Sequence, residues 1–223
     1  VFQEWNKLGL AANVSDNLQS LGIKTTICGV IGNDSNGNIL EDLIEEQGLS
    51  TWGIVRCDDR MTTFKERVVT DLQQICRIDY ETKDDLADET VERLLTRIKE
   101  FIEGHSAIIL EDYGKGMFTK EFSEKIIKMA KKRHILTIID GAHVPAHMPL
   151  NIHELGCDFF TGACHKWLCG PKGSSFLFVK KEHQGWIKPL VVSWGKDGDD
   201  PTPSEFLQDF NWQGTRDMSA FLT

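Results

Sequence analysis

Apolar residues recur at helical spacing over residues 11–21 and again over 39–47, where Gly48 closes the segment. Between them, residues 25–31 form a short apolar run that ends at Gly32 and reads as a strand. Residues 62–79, TTFKERVVTDLQQICRID, alternate in polarity and are rich in β-branched side chains, which predicts a hairpin or two edge strands. A long amphipathic helix follows over 89–103, then a buried strand over 105–110, a helix over 120–133 and another buried strand over 135–139. Such alternation predicts an α/β fold with a largely parallel sheet covered by helices. Beyond Asp140 the texture changes to Gly, Pro, His and Trp-rich stretches, with short strands at 158–161 and 175–179 and a polar loop at 196–203. The change falls at the end of a strand rather than in a linker, which is unusual for a domain boundary.

At 223 residues the chain leaves one large domain or two truncated units open. No apolar run is long enough to cross a bilayer, so no membrane association is expected. The balance of 25 basic against 34 acidic residues, a net charge of -9, disfavours nucleic acid, whose phosphates need clustered cations. The cluster Lys125, Lys128, Lys131, Lys132 and Arg133 reads as a solvated helix face and the end of that helix, where cations suit the dipole. Cysteines at 28, 57, 76, 157, 164 and 169 form no CxxC pair and are too dispersed for a zinc site or a disulfide framework. Reduced thiols and a cytoplasmic location are the expectation. The start, VFQEWNKLGLAANV, has no signal-peptide pattern and reads as the interior of a longer chain.

The chemistry concentrates in IIDGAHVP (138–145), DFFTGACHKWLCGPKGSSFLFV (158–179) and WQGTRD (212–217). An Asp ends a buried strand, a His follows three residues later, and a Lys stands between a His and a Gly-Pro-Lys-Gly turn. These groups suit an electron-sink cofactor, because a pyridinium nitrogen needs a carboxylate and a carbonyl carbon needs an amine. Each also has a plainer reading: Lys166 as a surface lysine, and His143 and His165 as hydrogen-bonded structural histidines. His147, His153 and His183 carry no assigned chemistry, Trp167, Trp194 and Trp212 read as packing residues, and Lys172 as a turn residue between two glycines.

These motifs resemble class V aminotransferases, in particular the isopenicillin N epimerase-like branch, over about residues 138–223. The resemblance implies a pyridoxal-phosphate enzyme of fold type I in which Lys166 is the Schiff-base lysine and Asp140 pairs with the pyridine nitrogen. It further implies that His143 lies near the ring oxygen or face of the cofactor and that His165 is a neighbour on the phosphate side. Thr215, in Gly214-Thr215-Arg216, would reach the phosphate held by a second subunit, which allows a homodimer. Residues 1–137 offer no convincing match to the family's earlier glycine- and threonine-rich helix start or to its stacking residue. The family's small C-terminal domain would follow Thr223.

A second set of motifs, GLAANVSDNLQSLG (9–22), GVIGNDSNG (29–37), the 62–81 segment and ILEDYGKGMF (109–118), has the short polar and small residues that a sugar site uses. They resemble the ribokinase or PfkB carbohydrate kinases, nearest those acting on heptose phosphates, over about residues 1–138. On that resemblance Asn13, Asp34, Arg77, Asp79, Asp112 and Lys115 would bind sugar hydroxyls or phosphate. The residues themselves also admit caps at Asn13 and Asp34 and an edge-strand ion pair between Arg77 and Asp79. Gly9-Leu10 stands where such kinases carry two glycines. The Gly-Ala-Gly-Asp element that supplies their anion hole and catalytic base is not in the sequence, so ATP and magnesium are not expected.

The expectation is therefore a composite: a partial ribokinase-like segment over 1–138 joined to a partial fold-type I segment over 139–223. The leading function is aminotransferase- or epimerase-like chemistry on an amino acid at Lys166, impaired because both parent domains are incomplete. A sugar-binding kinase remnant and a noncatalytic chimeric chain are the alternatives.

Overall fold

The computed structural model describes residues 3–71, 73–196, 198, 204–211, 213–215 and 217–222. It divides into two compact units, Val1–Ile135 and Leu136–Thr223.

The first unit runs α1 (Leu10–Ser20), β1 (Gly29–Gly32), α2 (Ser35–Glu46), β2 (Ile54–Cys57), β3 (Phe64–Val69), β4 (Gln74–Tyr80), α3 (Asp88–Phe101), β5 (Ala107–Glu111) and α4 (Lys120–Lys131). β1 and β2 pair in parallel, from Gly29 opposite Ile54 to Gly32 opposite Cys57. α3 packs on both strands and α2 packs on β1. Local sequence explains these elements. α3 places Thr90, Leu94, Leu95 and Ile98 on one buried face and carries Asp88 and Glu89 in its first turn, where acids suit the dipole. α4 is capped by Thr119, whose hydroxyl accepts from the Phe122 amide, and ends with Lys128 and Lys131 in its last turn. Ala12, Ile27, Ile44 and Leu49 form one buried cluster; Ile102, Ala130 and Ile135 form another.

α2 starts at Ser35, four residues before its apolar repeat begins, because Asp34 is extended and its carboxylate accepts from the Gly37 amide at 2.7 Å. The cap that the sequence admits at Asp34 is thus formed. Asn13 lies inside α1, whose N-cap is Gly9, so the capping role open to Asn13 does not occur. β2 had no strong signal in the sequence. β3 and β4 do form an antiparallel hairpin, with Phe64 opposite Tyr80 and Lys65 opposite Asp79. That register gathers Phe64, Glu66, Val68, Cys76, Ile78 and Tyr80 on one face and Lys65, Arg67, Arg77 and Asp79 on the other.

The second unit runs β6 (Leu136–Asp140), α5 (Ile152–Leu155), β7 (Phe159–Ala163), β8 (Ser175–Val179), a 3-10 turn at Lys181–His183, α6 (Glu205–Asn211) and a 3-10 turn at Ser219–Phe221. The strands lie in the order β6, β7, β8; β6 and β7 are parallel, and β7 and β8 antiparallel. The protein is thus a mixed α/β structure whose β1–β2 and β6–β7 pairs are parallel. Of the polar loop at 196–203, residues 197 and 199–203 lie outside the described residues, as do Trp212 and Arg216. Trp167 and Trp194 are exposed rather than packed in a core, at 53% and 79%.

A buried carboxylate ties the three strands together. Asp158, just before β7, accepts from the Thr137 amide and hydroxyl of β6, both at 2.8 Å. Its other oxygen accepts from Lys180 Nζ at 2.6 Å and faces His183 Nε2 at 3.3 Å, both beyond the end of β8. Asp158, Glu182 and His183 bring potential ligand atoms within 4.8 Å of one another, but the Lys180 ammonium already neutralises the carboxylate at their centre.

No helix among the described residues is long and apolar enough to cross a membrane.

Candidate functional site

Parallel pairing of β6 and β7 sets the C-terminal ends of both strands on one edge of the sheet, with Asp140 opposite Thr161. Asp140 is half-buried, and its Oδ1 accepts from the Ala142 amide at 3.1 Å and from the Thr161 hydroxyl at 3.5 Å. Lys166 follows three residues after Ala163, the last residue of β7. Its Nζ lies 3.1 Å from Nε2 of His143, in the loop that leaves β6. The same two loops touch again where the His147 and Trp167 rings stack, 4.3 Å between centroids and 8° between planes. The Lys166 loop is itself closed by bonds from the Gly170 amide to the Cys164 carbonyl at 2.8 Å and from the Cys169 amide to the Lys166 carbonyl at 3.0 Å. His165 and Thr215 are both exposed.

The donor set fits two ends of pyridoxal phosphate. A primary amine for an aldehyde and a carboxylate for a pyridinium nitrogen stand on one sheet edge, with an imidazole linking the amine to the loop next to the carboxylate.

In the first unit Asp34 holds the β1–α2 turn to the segment leading into β3, accepting from the Thr62 amide at 2.8 Å as well as from Gly37. Burial raises the Asp34 pKa, but the hydrogen bonds from Thr62 and Gly37 outweigh it and leave the carboxyl below its ordinary value. Arg77 pairs with Asp79 at 2.8 Å along β4, and Asp79 also receives Lys65 at 2.8 Å. Lys115 pairs with Glu81, which also faces Lys65 at 3.6 Å; the Lys115 hydrogen bond is the largest cause of the lowered Glu81 pKa. Asp112 accepts from the Gly114 amide at 2.7 Å within its own turn. Asn13 is exposed on α1. Arg77, Asp79 and Lys115 thus join one ion-pair chain through Lys65 and Glu81, whereas the Asp112 carboxylate is held within its own turn.

An open cleft of about 240 Å³ is lined by Asn36, Met61, Thr62, Phe64 and Tyr80, not by Lys166 or Asp140. The Phe64 and Tyr80 rings stack at 5.8 Å along its wall. None of these lining residues stood out in the sequence as a site residue. The hairpin register, which places Phe64 opposite Tyr80, was the available signal.

The pfkB family carbohydrate kinase model matches residues 6–137, more than half of the chain. The chain belongs to the pfkB family. Residues 116–206 match a second model, aminotransferase class-V, which overlaps the first over 116–137. Among curated proteins, the bifunctional protein HldE of Helicobacter pylori (strain J99) is 39% identical over 140 residues, 63% of this chain and 30% of that protein. The HldE protein of Aliarcobacter butzleri is 35% identical over 140 residues, 63% of this chain and 29% of that protein. This pfkB chain therefore spans about 30% of the length of these relatives. A solved Thermotoga maritima protein, a possible 1-phosphofructokinase, shares the fold with a TM-score of 0.54 at 11% identity, covering 81% of this chain and 69% of that one.

Both the Asp34 and hairpin features and the 109–118 turn lie inside the pfkB match, while Asp140, His143, His165 and Lys166 lie inside the class-V match alone. Thr215 lies beyond both matches. The pfkB match reaches two residues past Ile135, where the first compact unit ends.

Proposed function

We propose that this chain attaches pyridoxal 5'-phosphate covalently at Lys166 and serves aminotransferase- or epimerase-like chemistry on an amino acid. The observation that carries the reading is the 3.1 Å contact between Lys166 Nζ and His143 Nε2 on the sheet edge that also bears Asp140. The bound group would supply an electron sink for charge developing on the amino-acid carbon. Lys166 provides the amine, Asp140 holds the positive charge of the pyridine nitrogen, and His143 and His165 flank the ring and phosphate sides. On this reading residues 139–223 form the cofactor segment and residues 1–138 a carbohydrate-kinase segment. Thr215 would serve a second subunit's phosphate in a cytoplasmic homodimer. Incubation of the full chain with pyridoxal 5'-phosphate and reduction with borohydride is expected to leave a stable phosphopyridoxyl mass on the peptide containing Lys166, and none in Lys166→Ala. A wild-type chain that acquires neither this mass nor a visible absorption band would sink the proposal.

A second reading, carbohydrate-phosphate binding by the first unit, is favoured by the cleft beside Asp34 and by the identity to HldE proteins. Tyr80 and Phe64 offer an aromatic wall, Asn36 and Thr62 offer polar groups, and Arg77, Asp79, Asp112, Lys115 and Asn13 are the candidates for hydroxyl and phosphate contacts. A heptose or hexose phosphate is expected to raise the melting temperature in a saturable manner. Tyr80→Ala should weaken that binding by about 1 kcal/mol through loss of the ring face. Equal protection of the variant and the wild type would exclude the cleft as the site.

A further inference from the structure

The contact between Lys166 and His143 joins two nitrogens that are both basic. An ammonium offers three N–H donors and no lone pair, whereas an imidazole nitrogen without its proton accepts. At 3.1 Å the pair therefore has two hydrogen-bonded forms. Either Lys166 is charged and donates to a bare Nε2, or Lys166 is neutral and accepts from a protonated Nε2. The forms differ by one proton carried across the contact, and only the second leaves Nζ with a lone pair, which is free to attack a carbonyl carbon once Nζ turns out of the contact. Two features make this a held geometry: the stacked His147 and Trp167 rings clamp the same loops, and the Gly170 and Cys169 amide bonds close the turn that carries Lys166.

We infer that His143 is the proton acceptor and donor for Lys166 when the lysine condenses with an aldehyde, a role beyond contact with the cofactor ring. This inference rests on the proposed attachment at Lys166. Nε2 first takes one proton from the Lys166 ammonium. The Nζ lone pair then forms a bond to the aldehyde carbon as the carbonyl π pair moves onto oxygen, and one of the remaining Nζ protons passes to that oxygen. The proton held on His143 leaves with the hydroxyl as water while the nitrogen lone pair closes the carbon–nitrogen double bond. An ammonium and an aldehyde thus become a protonated imine and water, and His143 returns to its starting form.

The test is the rate at which the full chain becomes labelled by pyridoxal 5'-phosphate, quenched with borohydride and read as mass on the Lys166 peptide. His143→Ala is expected to slow labelling roughly a hundredfold, in the range of a lost general base. Added imidazole should restore much of that rate, which a purely structural role would not allow. His143→Gln, which keeps a polar group at about the reach of Nε2 but takes up no proton, should stay slow. Wild-type rates in either variant, or no response of His143→Ala to imidazole, would overturn the inference while leaving attachment at Lys166 intact. Absence of labelling in the wild-type chain would overturn both.

Discussion

Replacing Asp158 by Ala is expected to destabilise the second unit by about 3 kcal/mol, as when one partner of a buried charged pair is removed. The side chain is 8% exposed and receives four hydrogen-bonding groups, from Thr137 on β6 and from Lys180 and His183 beyond β8. Its loss would leave the buried Thr137 amide and hydroxyl without that acceptor and the Lys180 ammonium without its partner. Burial by itself raises the Asp158 pKa. The hydrogen bonds from Lys180, Thr137 and His183 outweigh it and bring the pKa down from 3.8 to about 2. A depressed carboxyl stabilises the fold fully above its unfolded value and loses that contribution as pH falls through its folded one. The contribution, about 2 kcal/mol, is therefore present above about pH 4 and lost as pH falls through about 2. Amide exchange at Thr137 across this range, compared with the non-titrating Asp158→Asn, measures it. Identical exchange in wild type and Asp158→Asn at pH 6 would remove the proposed tie.

Much of the architecture was legible because it follows from short-range pattern. Burial of Thr90, Leu94, Leu95 and Ile98 on α3 repeats the helical spacing of the sequence, and the alternating 62–79 segment became the β3–β4 hairpin. β8 occupies the predicted residues 175–179. Where pattern was weak, reading failed: β2 has only four residues, and α5 and α6 are short helices with little periodicity. The grouping at the lysine site was partly legible, since strand ends carrying Asp140 and preceding Lys166 meet once β6 and β7 are parallel. The His143–Lys166 contact spans 23 residues and depends on two loop conformations, which no local spacing encodes. The Asp158 tie was missed for a different reason. His183 stands alone in the sequence with no assigned chemistry, and nothing local marks Lys180. Their convergence follows from the β7–β8 register, in which Phe159 stands opposite Val179 and so Asp158 falls beside Lys180.

Gly141→Ala is expected to disrupt the lysine site without altering any residue that carries its chemistry. A Cβ at Gly141 would lie 2.1 Å from Cζ of Phe160 and 2.6 Å from Cε2. Phe160 is 1% exposed and stacks on Phe176 with ring centroids 6.0 Å apart, so the ring has little room to yield. Gly141 is also fixed on its other side, donating to the Thr161 carbonyl at 3.0 Å and accepting from the Val144 amide at 2.9 Å. The added methyl must push either the ring or the loop. Movement of the loop carries Asp140 and His143 with it, so the change should cost about 2–3 kcal/mol, typical of overpacking, and slow phosphopyridoxyl labelling at Lys166. The cause is space alone, and it can be separated from general damage by making room. Phe160→Leu removes the atoms nearest the new methyl, so the double variant should be more stable than the sum of the two single effects by more than about 0.5 kcal/mol, the limit expected for independent sites. Its labelling rate should rise with it. Strict additivity of the two changes would mean that the Phe160 ring does not set the position of the Asp140–His143 loop.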